Sequence, residues 1–311
     1  MPNELRTKFF SNAHDDIKGC YTGEIVNLPV DFIFSQTSLQ DFSECRCRFF
    51  LRYVQNLAWP APPAEPFLAL ELALQRGARF HHIVHQHLTG CPAERIEATT
   101  SDDPELNGWW QNYLEFYRGL HLDDIGQGMK TYTEYTLVGE LRNQRFLAKY
   151  DLIMVHPSHI KIVDWKTGRQ KPGGRRRHRL SERWQTNLYP WLICRVGESL
   201  RESGISAEDV EMVYWFANNP TTPEHFSFSH SKYEDVEDRL ISIVDLISGM
   251  AEIDFVKTDD ARNCLYCSYR SLCDRGVEAG LFEAEDADGL DESSTDLDFD
   301  FAQIEEIPYL P

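Results

Sequence analysis

No run within these 311 residues approaches the roughly 18–20 apolar positions that a helix needs to cross a bilayer. Residues 1–16 lack the apolar core of a secretory leader, so a cytoplasmic protein with no membrane partner is expected. No G-x-x-x-x-G-K-[S/T] phosphate loop occurs, which excludes a nucleotide-driven helicase in this chain. His81, His82, His85 and His87 crowd together, yet no acid lies between His81 and His85, so the H-E-x-x-H metalloprotease pattern is missing as well. A basic surplus is also missing, since the formal net charge is −19.

That charge is unevenly spread. Residues 281–311 hold eleven acids and no Lys or Arg, and without them the balance is −8. Between Lys166 and Gln185 the sign reverses: Arg169, Lys171, Arg175, Arg176, Arg177, Arg179 and Arg183 stand against Glu182 alone. Such asymmetry says more about partners than the total does. With eight cysteines and no export leader, a disulfide framework is not expected. Cys264, Cys267 and Cys273 fall within ten residues and read as a metal or cluster site, whereas Cys20, Cys47, Cys91 and Cys194 read as plain thiols.

Along the chain, the hydroxyl-rich start at Ser35 followed by Leu39, Phe42, Phe49, Phe50 and Tyr53 predicts a capped amphipathic helix, ended by the proline-rich break at 58–66. A second helix is expected over 67–88, with Gly77 as a candidate kink, and an aromatic helix near 105–120. Strands are expected at Tyr132–Val138, Gln144–Val155, Ile160–Lys166 and Val210–Phe216, with helices at Trp184–Val196 and Tyr233–Ile253. This order predicts an α/β core, a mixed sheet covered by helices, with helical additions at both ends. The acidic tail has the composition of a disordered segment.

The chemistry concentrates between Leu147 and Tyr189. On a strand, Asp164 and Lys166 share one face and Trp165 takes the other. A carboxylate and an ammonium so placed suit metal-assisted hydrolysis, the acid holding a divalent cation and the lysine lying beside the activated oxygen. A turn at 156–159 would return the chain so that Asp151 approaches Asp164 closely enough to share the cation.

These residues resemble the PD-(D/E)xK nuclease superfamily, specifically its RecB-like branch, which includes the AddB helicase–nuclease subunit and the nuclease of CRISPR spacer acquisition. Gly77-Ala-Arg-Phe-His81 looks like the family's G-x-x-x-H motif, and Asp151 like the acid that closes its G-x-x-D motif, with Ala148 in the glycine position. Asp164-Trp165-Lys166 looks like D-Y-K with Trp for Tyr, and Gln185-Thr-Asn-Leu-Tyr189 like Q-x-x-x-Y. Each motif alone occurs often by chance; a D-x-K triplet is commonly a surface ion pair at a strand end. Four in the family's order are hard to attribute to accident.

The resemblance implies a restriction-endonuclease-like nuclease domain over 35–280, between an N-terminal extension (1–34) and the tail (281–311). It implies that His81, Asp151 and Asp164, with the Trp165 carbonyl, hold Mg²⁺ or Mn²⁺, that Lys166 orients or deprotonates water, and that Gln185 and Tyr189 support it. Glu134 falls where the family often places an acid. It also implies an iron–sulfur staple of Cys45, Cys264, Cys267 and Cys273, a 4Fe–4S cluster rather than zinc, joining the ends of the chain. The expected activity is hydrolysis of DNA, by an exonuclease preferring single strands or ends, in repair, recombination or CRISPR adaptation. Arg169, Lys171, Arg175, Arg176, Arg177 and Arg179 would contact phosphates, and a helicase or integration proteins would be partners in trans. The alternative is a non-catalytic nucleic-acid-binding subunit, against which the intact His81, Asp151, Asp164 and Lys166 argue.

Overall fold

The computed structural model describes residues 25–57, 65–120, 129–168, 171–202, 204–265 and 267–276, without the side chains of 65–71. The N-terminal residues with Cys20, the proline-rich break at 58–64, Arg169 and the acidic tail lie outside the described residues. Among the described residues, a six-stranded mixed sheet is flanked by helices, the α/β arrangement expected of a restriction-endonuclease-like core.

The chain enters through a short strand β1 (Ile33–Phe34) and two helical pieces, α1 (Gln36–Glu44) and α2 (Arg46–Phe49), the second running on as a π-helical turn. Ser35 starts α1 by a reciprocal exchange with Ser38, each side chain bonding the other's backbone N–H. The helix α3 (Glu65–Leu88) is continuous through Gly77. After α4 (Ala93–Thr100), α5 (Pro104–Gly119) is capped by Asp103, which accepts from the Leu106 N–H.

Strands β2 (Lys130–Leu141) and β3 (Gln144–Val155) form a long antiparallel hairpin. Its turn residues Arg142 and Asn143 both have positive φ, 54° and 61°, as a type I′ turn requires. β3 turns through residues 156–159 into β4 (Ile160–Lys166), with Val155 opposite Ile160, as the sequence predicts. The chain then crosses over through α6 (Gly174–Glu182) and α7 (Trp184–Val196) to β5 (Val210–Phe216), parallel to β4. A short edge strand β6 (Glu224–Ser227) and the helix α8 (His230–Gly249) follow. Neither α6 nor β6 is evident from periodicity, because one is mostly arginine and the other has four residues.

Each face of the sheet has its own core. One gathers Phe34, Phe146, Tyr150, Ile162, Leu188, Trp191 and Leu240 beneath α1, α7 and α8. The other is aromatic: Phe80, Trp109, Trp110 and Tyr113 pack on Trp165 and Trp215. β3 supplies both, and its alternation slips midway. Phe146, Ala148 and Tyr150 face the first core, then Ile153 and Val155 face it again, with Leu152 and Met154 on the other side. The slip falls at Asp151.

α6 is fastened by Arg176, which is only 2% exposed. Its guanidinium bonds Glu224 on β6 (3.0 Å) and the Thr222 carbonyl (2.8 Å), and lies 4.0 Å over the Phe216 ring. A guanidinium so enclosed is unavailable to phosphate, which removes Arg176 from the expected DNA contacts. Arg176→Ala leaves Glu224 to Arg177 alone and opens a cavity against Phe216, and we expect a loss of about 1–3 kcal/mol in urea unfolding; a change below measurement error would mean that the buried guanidinium contributes nothing to stability.

Candidate active site

The site forms where β3 and β4 part. Their ladder ends at Leu152–Val163, one position short of Asp151 and Asp164. Asp151, released from the regular alternation, turns its carboxylate to the Trp165 backbone: Oδ2 accepts from that N–H at 2.8 Å. Oδ1 lies 3.3 Å from Nδ1 of His81, delivered by α3 from the opposite layer. Burial by itself would raise the Asp151 pKa, but His81, the Trp165 N–H and Lys166 outweigh it and hold the carboxyl below its ordinary value.

Glu134 completes a group. One ligand atom each from His81, Glu134 and Asp151 all lie within 4.8 Å of one another. Glu134 would face Asp151 in the β2–β3 register, but that pair is missing between Thr133–Leu152 and Tyr135–Tyr150. The reason is local: Glu134 has φ 50°, a left-handed conformation costly for a residue with a β-carbon and common at functional sites. Next to it, His85 Nδ1 lies 3.0 Å from the Thr133 hydroxyl, and Lys149 forms an ion pair with Glu134 itself. One nitrogen and two carboxylates form a donor set suited to a hard or borderline divalent cation.

Asp164 stands beside this group rather than in it. Lys166 Nζ is 2.9 Å from Asp164 Oδ2 and donates to Gln185 Oε1 at 3.1 Å, while Gln185 Nε2 donates to Asp164 Oδ1 at 2.5 Å. The three side chains close a ring around the ammonium, which also lies 5.5 Å over the Tyr214 ring. One helical turn beyond Gln185, Tyr189 is buried and its phenol pKa is driven well up, by burial first and then by the charges of Asp164 and Asp151. The phenol therefore holds its proton more firmly than an ordinary tyrosine. Tyr150 fixes that turn by donating to the Tyr189 carbonyl at 2.9 Å. Trp165 brings its backbone to the site while its indole is buried in the aromatic core.

The basic residues are dispersed. Lys171 and Arg175 are exposed, Arg177 is exposed but bonded to Glu224 and the His225 carbonyl, and Arg179 is half-buried. Elsewhere in the molecule Cys45, Cys264, Cys267 and Cys273 line one cavity together with Arg48, Lys257, Arg270 and Arg275. Cys47 is not part of that lining; its sulfur lies 3.9 Å from that of Cys273. Four soft sulfurs from two distant stretches, walled by cations, fit an anionic thiolate-bound centre. No described helix is long and apolar enough to cross a membrane.

The sequence motifs do not point to Lys149 or to the His85–Thr133 contact. His81 and His85 share a helical face by spacing, which is the one signal that placed His85 near the site.

The sequence model of the PD-(D/E)XK nuclease superfamily matches residues 33–274, from β1 to the last cysteine turn. Curated proteins give no match. Among solved structures, "Crystal structure of SSO0001" shares 11% identity over 86% of this chain and 96% of its own, at a TM-score of 0.37. A "putative exonuclease" from Eubacterium rectale shares 13% identity over 71% and 83% of the two chains, at a TM-score of 0.41. Scores this low carry no functional weight beside the family match.

The depressed Asp151 pKa fixes a sign. A carboxyl held below its unfolded value stabilises the fold above about pH 4, and that contribution fades as pH falls through the lower folded value. Asp151→Asn should therefore flatten the acid limb of the stability curve measured without metal. Parallel curves for variant and wild type would mean that the carboxyl is not held down.

Proposed function

The chain belongs to the PD-(D/E)XK nuclease superfamily, and from that premise we propose that it is a RecB-like, metal-dependent deoxyribonuclease acting on single strands or DNA ends as an exonuclease. The observation that carries this is the adjacency of two arrangements: the His81–Glu134–Asp151 donor group and the Lys166–Asp164–Gln185 ring. His81, Glu134 and Asp151 would hold Mg²⁺ or Mn²⁺, with Asp164 and the Trp165 carbonyl as the additional ligands that the family motif suggests, and the bound ion would supply Lewis-acid stabilisation of the phosphate and a more acidic water.

The protein's own share is positioning. Asp164 and Gln185 fix the Lys166 ammonium in one place, so that it needs no reorganisation to meet charge building on a phosphate oxygen or to steer the attacking water. Tyr189 lies close enough to Asp164 and Asp151 for both charges to act on its phenol. Lys171, Arg175 and Arg177 present positive charge beside the crossover that leads into α7, which suits sequence-independent contacts to the DNA backbone that weaken with salt. Work in DNA repair, recombination or CRISPR adaptation, with a helicase or integration proteins as partners, agrees with this chemistry.

We further propose that the four-cysteine cavity holds a 4Fe–4S cluster rather than zinc. Its distance in sequence from Cys45 to Cys273 gives it the role of tying chain ends together. Protein purified anaerobically should be brown and contain iron and acid-labile sulfide; colourless protein with stoichiometric zinc would replace the cluster with a structural zinc site.

The activity is tested on end-labelled linear and on circular single-stranded DNA with Mn²⁺ or Mg²⁺. Wild type should degrade the linear strand and spare the circle, and Lys166→Ala should lose about 10²–10⁴-fold in rate. Cutting of the circle would make the enzyme an endonuclease. No cleavage by folded, metal-loaded protein would move the reading to a binding subunit or to an enzyme that requires its partner.

A further inference from the structure

The donor group contains two carboxylates that bring like charges within 4.8 Å of each other. Such a pair raises its own cost unless each charge is answered. His81 answers Asp151. Glu134 is answered by Lys149, which lies on the neighbouring strand, paired with Thr136 and so diagonal to Glu134 across the ladder. The Glu134 backbone is left-handed and the His85–Thr133 contact lies next to it, and its side chain is the more enclosed of the pair. Lys149 is different: its side chain is 44% exposed against 22% for Glu134, so the ammonium can swing into water while the carboxylate stays.

We propose that Lys149 is the place-holder for the divalent cation at Glu134, a positioning residue whose ammonium neutralises the carboxylate until the cation displaces it. The proposal rests on the reading of His81, Glu134 and Asp151 as the cation site. An ion pair this exposed is worth little, so a doubly charged ion replaces it readily. The same pair keeps Glu134 from being an open charge in the metal-free protein, and it sets a small tax on cation affinity. Removing the ammonium removes the competitor.

The test is Mn²⁺ binding by calorimetry to the full chain, stripped of divalent ions and without DNA. Lys149→Gln should bind about twofold to fivefold more tightly than wild type, and Lys149→Arg, which keeps the charge, should bind as wild type does. Glu134→Gln should bind more weakly than all of them. Unchanged or weaker binding by Lys149→Gln overturns the proposal, because a residue that merely supports the strand would not oppose the cation. Tightening in Lys149→Arg equal to that in Lys149→Gln overturns it too, since shape rather than charge would then be responsible. If Glu134→Gln binds as wild type, the cation-site reading itself fails, and the proposal with it.

Discussion

The Asp151 carboxylate is the contact on which the site depends. A strand end that parts from its neighbour leaves backbone donors without ladder partners, and a buried donor without a partner is expensive. At the parting of β3 and β4 the Trp165 N–H finds Asp151 instead of a carbonyl. That single bond holds the two strands together beyond their ladder and keeps a charged acid inside the fold. It also spends one carboxylate oxygen on structure and leaves the other facing His81. The slip in the side-chain alternation of β3, and the left-handed Glu134 opposite it, are the distortions that let an acid occupy this place.

This arrangement lets side chains from both layers meet. His81 stands on α3, whose neighbours Phe80, Ile83 and Val84 belong to the aromatic core. Gln185 and Tyr189 stand on α7, packed on the other face. A regular sheet would separate them by its full thickness. Here the opening between β3 and β4 admits the imidazole from one side and the amide and phenol from the other, so that one small volume holds a nitrogen donor, carboxylates, an ammonium and a neutral phenol. The strands bring the acids and the lysine, and the helices bring the groups that tune them.

What the sequence disclosed follows the strength of each local signal. Asp164, Trp165 and Lys166 were assigned faces by strand alternation, and the structure shows the indole in one core and the two charges turned to α7. Of the two cysteines near the chain's start, Cys45 lines the cavity with Cys264, Cys267 and Cys273, and Cys47 stands beside it with its sulfur 3.9 Å from that of Cys273. The left-handed Glu134 could not be read: nothing in Thr-Glu-Tyr marks a backbone with φ 50°. The role of Arg176 was hidden for a similar reason. A run of arginines reads as one surface, but Arg176 and Arg177 both reach Glu224, and it is Arg176 that lies buried, against a strand too short to anticipate.

The cysteine cavity and the lysine ring are remote in sequence yet joined by consecutive contacts. Arg48 lines the cavity and forms ion pairs with Asp41 and Glu44 on α1 (2.8 and 2.6 Å), and Asn263 bonds back to the Glu44 carbonyl. From the same helix, Gln40 accepts the Trp184 N–H at 3.2 Å and Ser43 accepts from the Trp184 indole at 2.8 Å. Trp184 is the first residue of α7, and the next is Gln185, which closes the ring on Lys166. A centre bound by the four sulfurs would therefore do more than shorten the loose ends of the chain. By fixing Cys45 it would fix α1, and by fixing α1 it would set where α7 begins. The orientation of the amide that holds the lysine would then answer to the four-cysteine cavity through Arg48, α1 and Trp184.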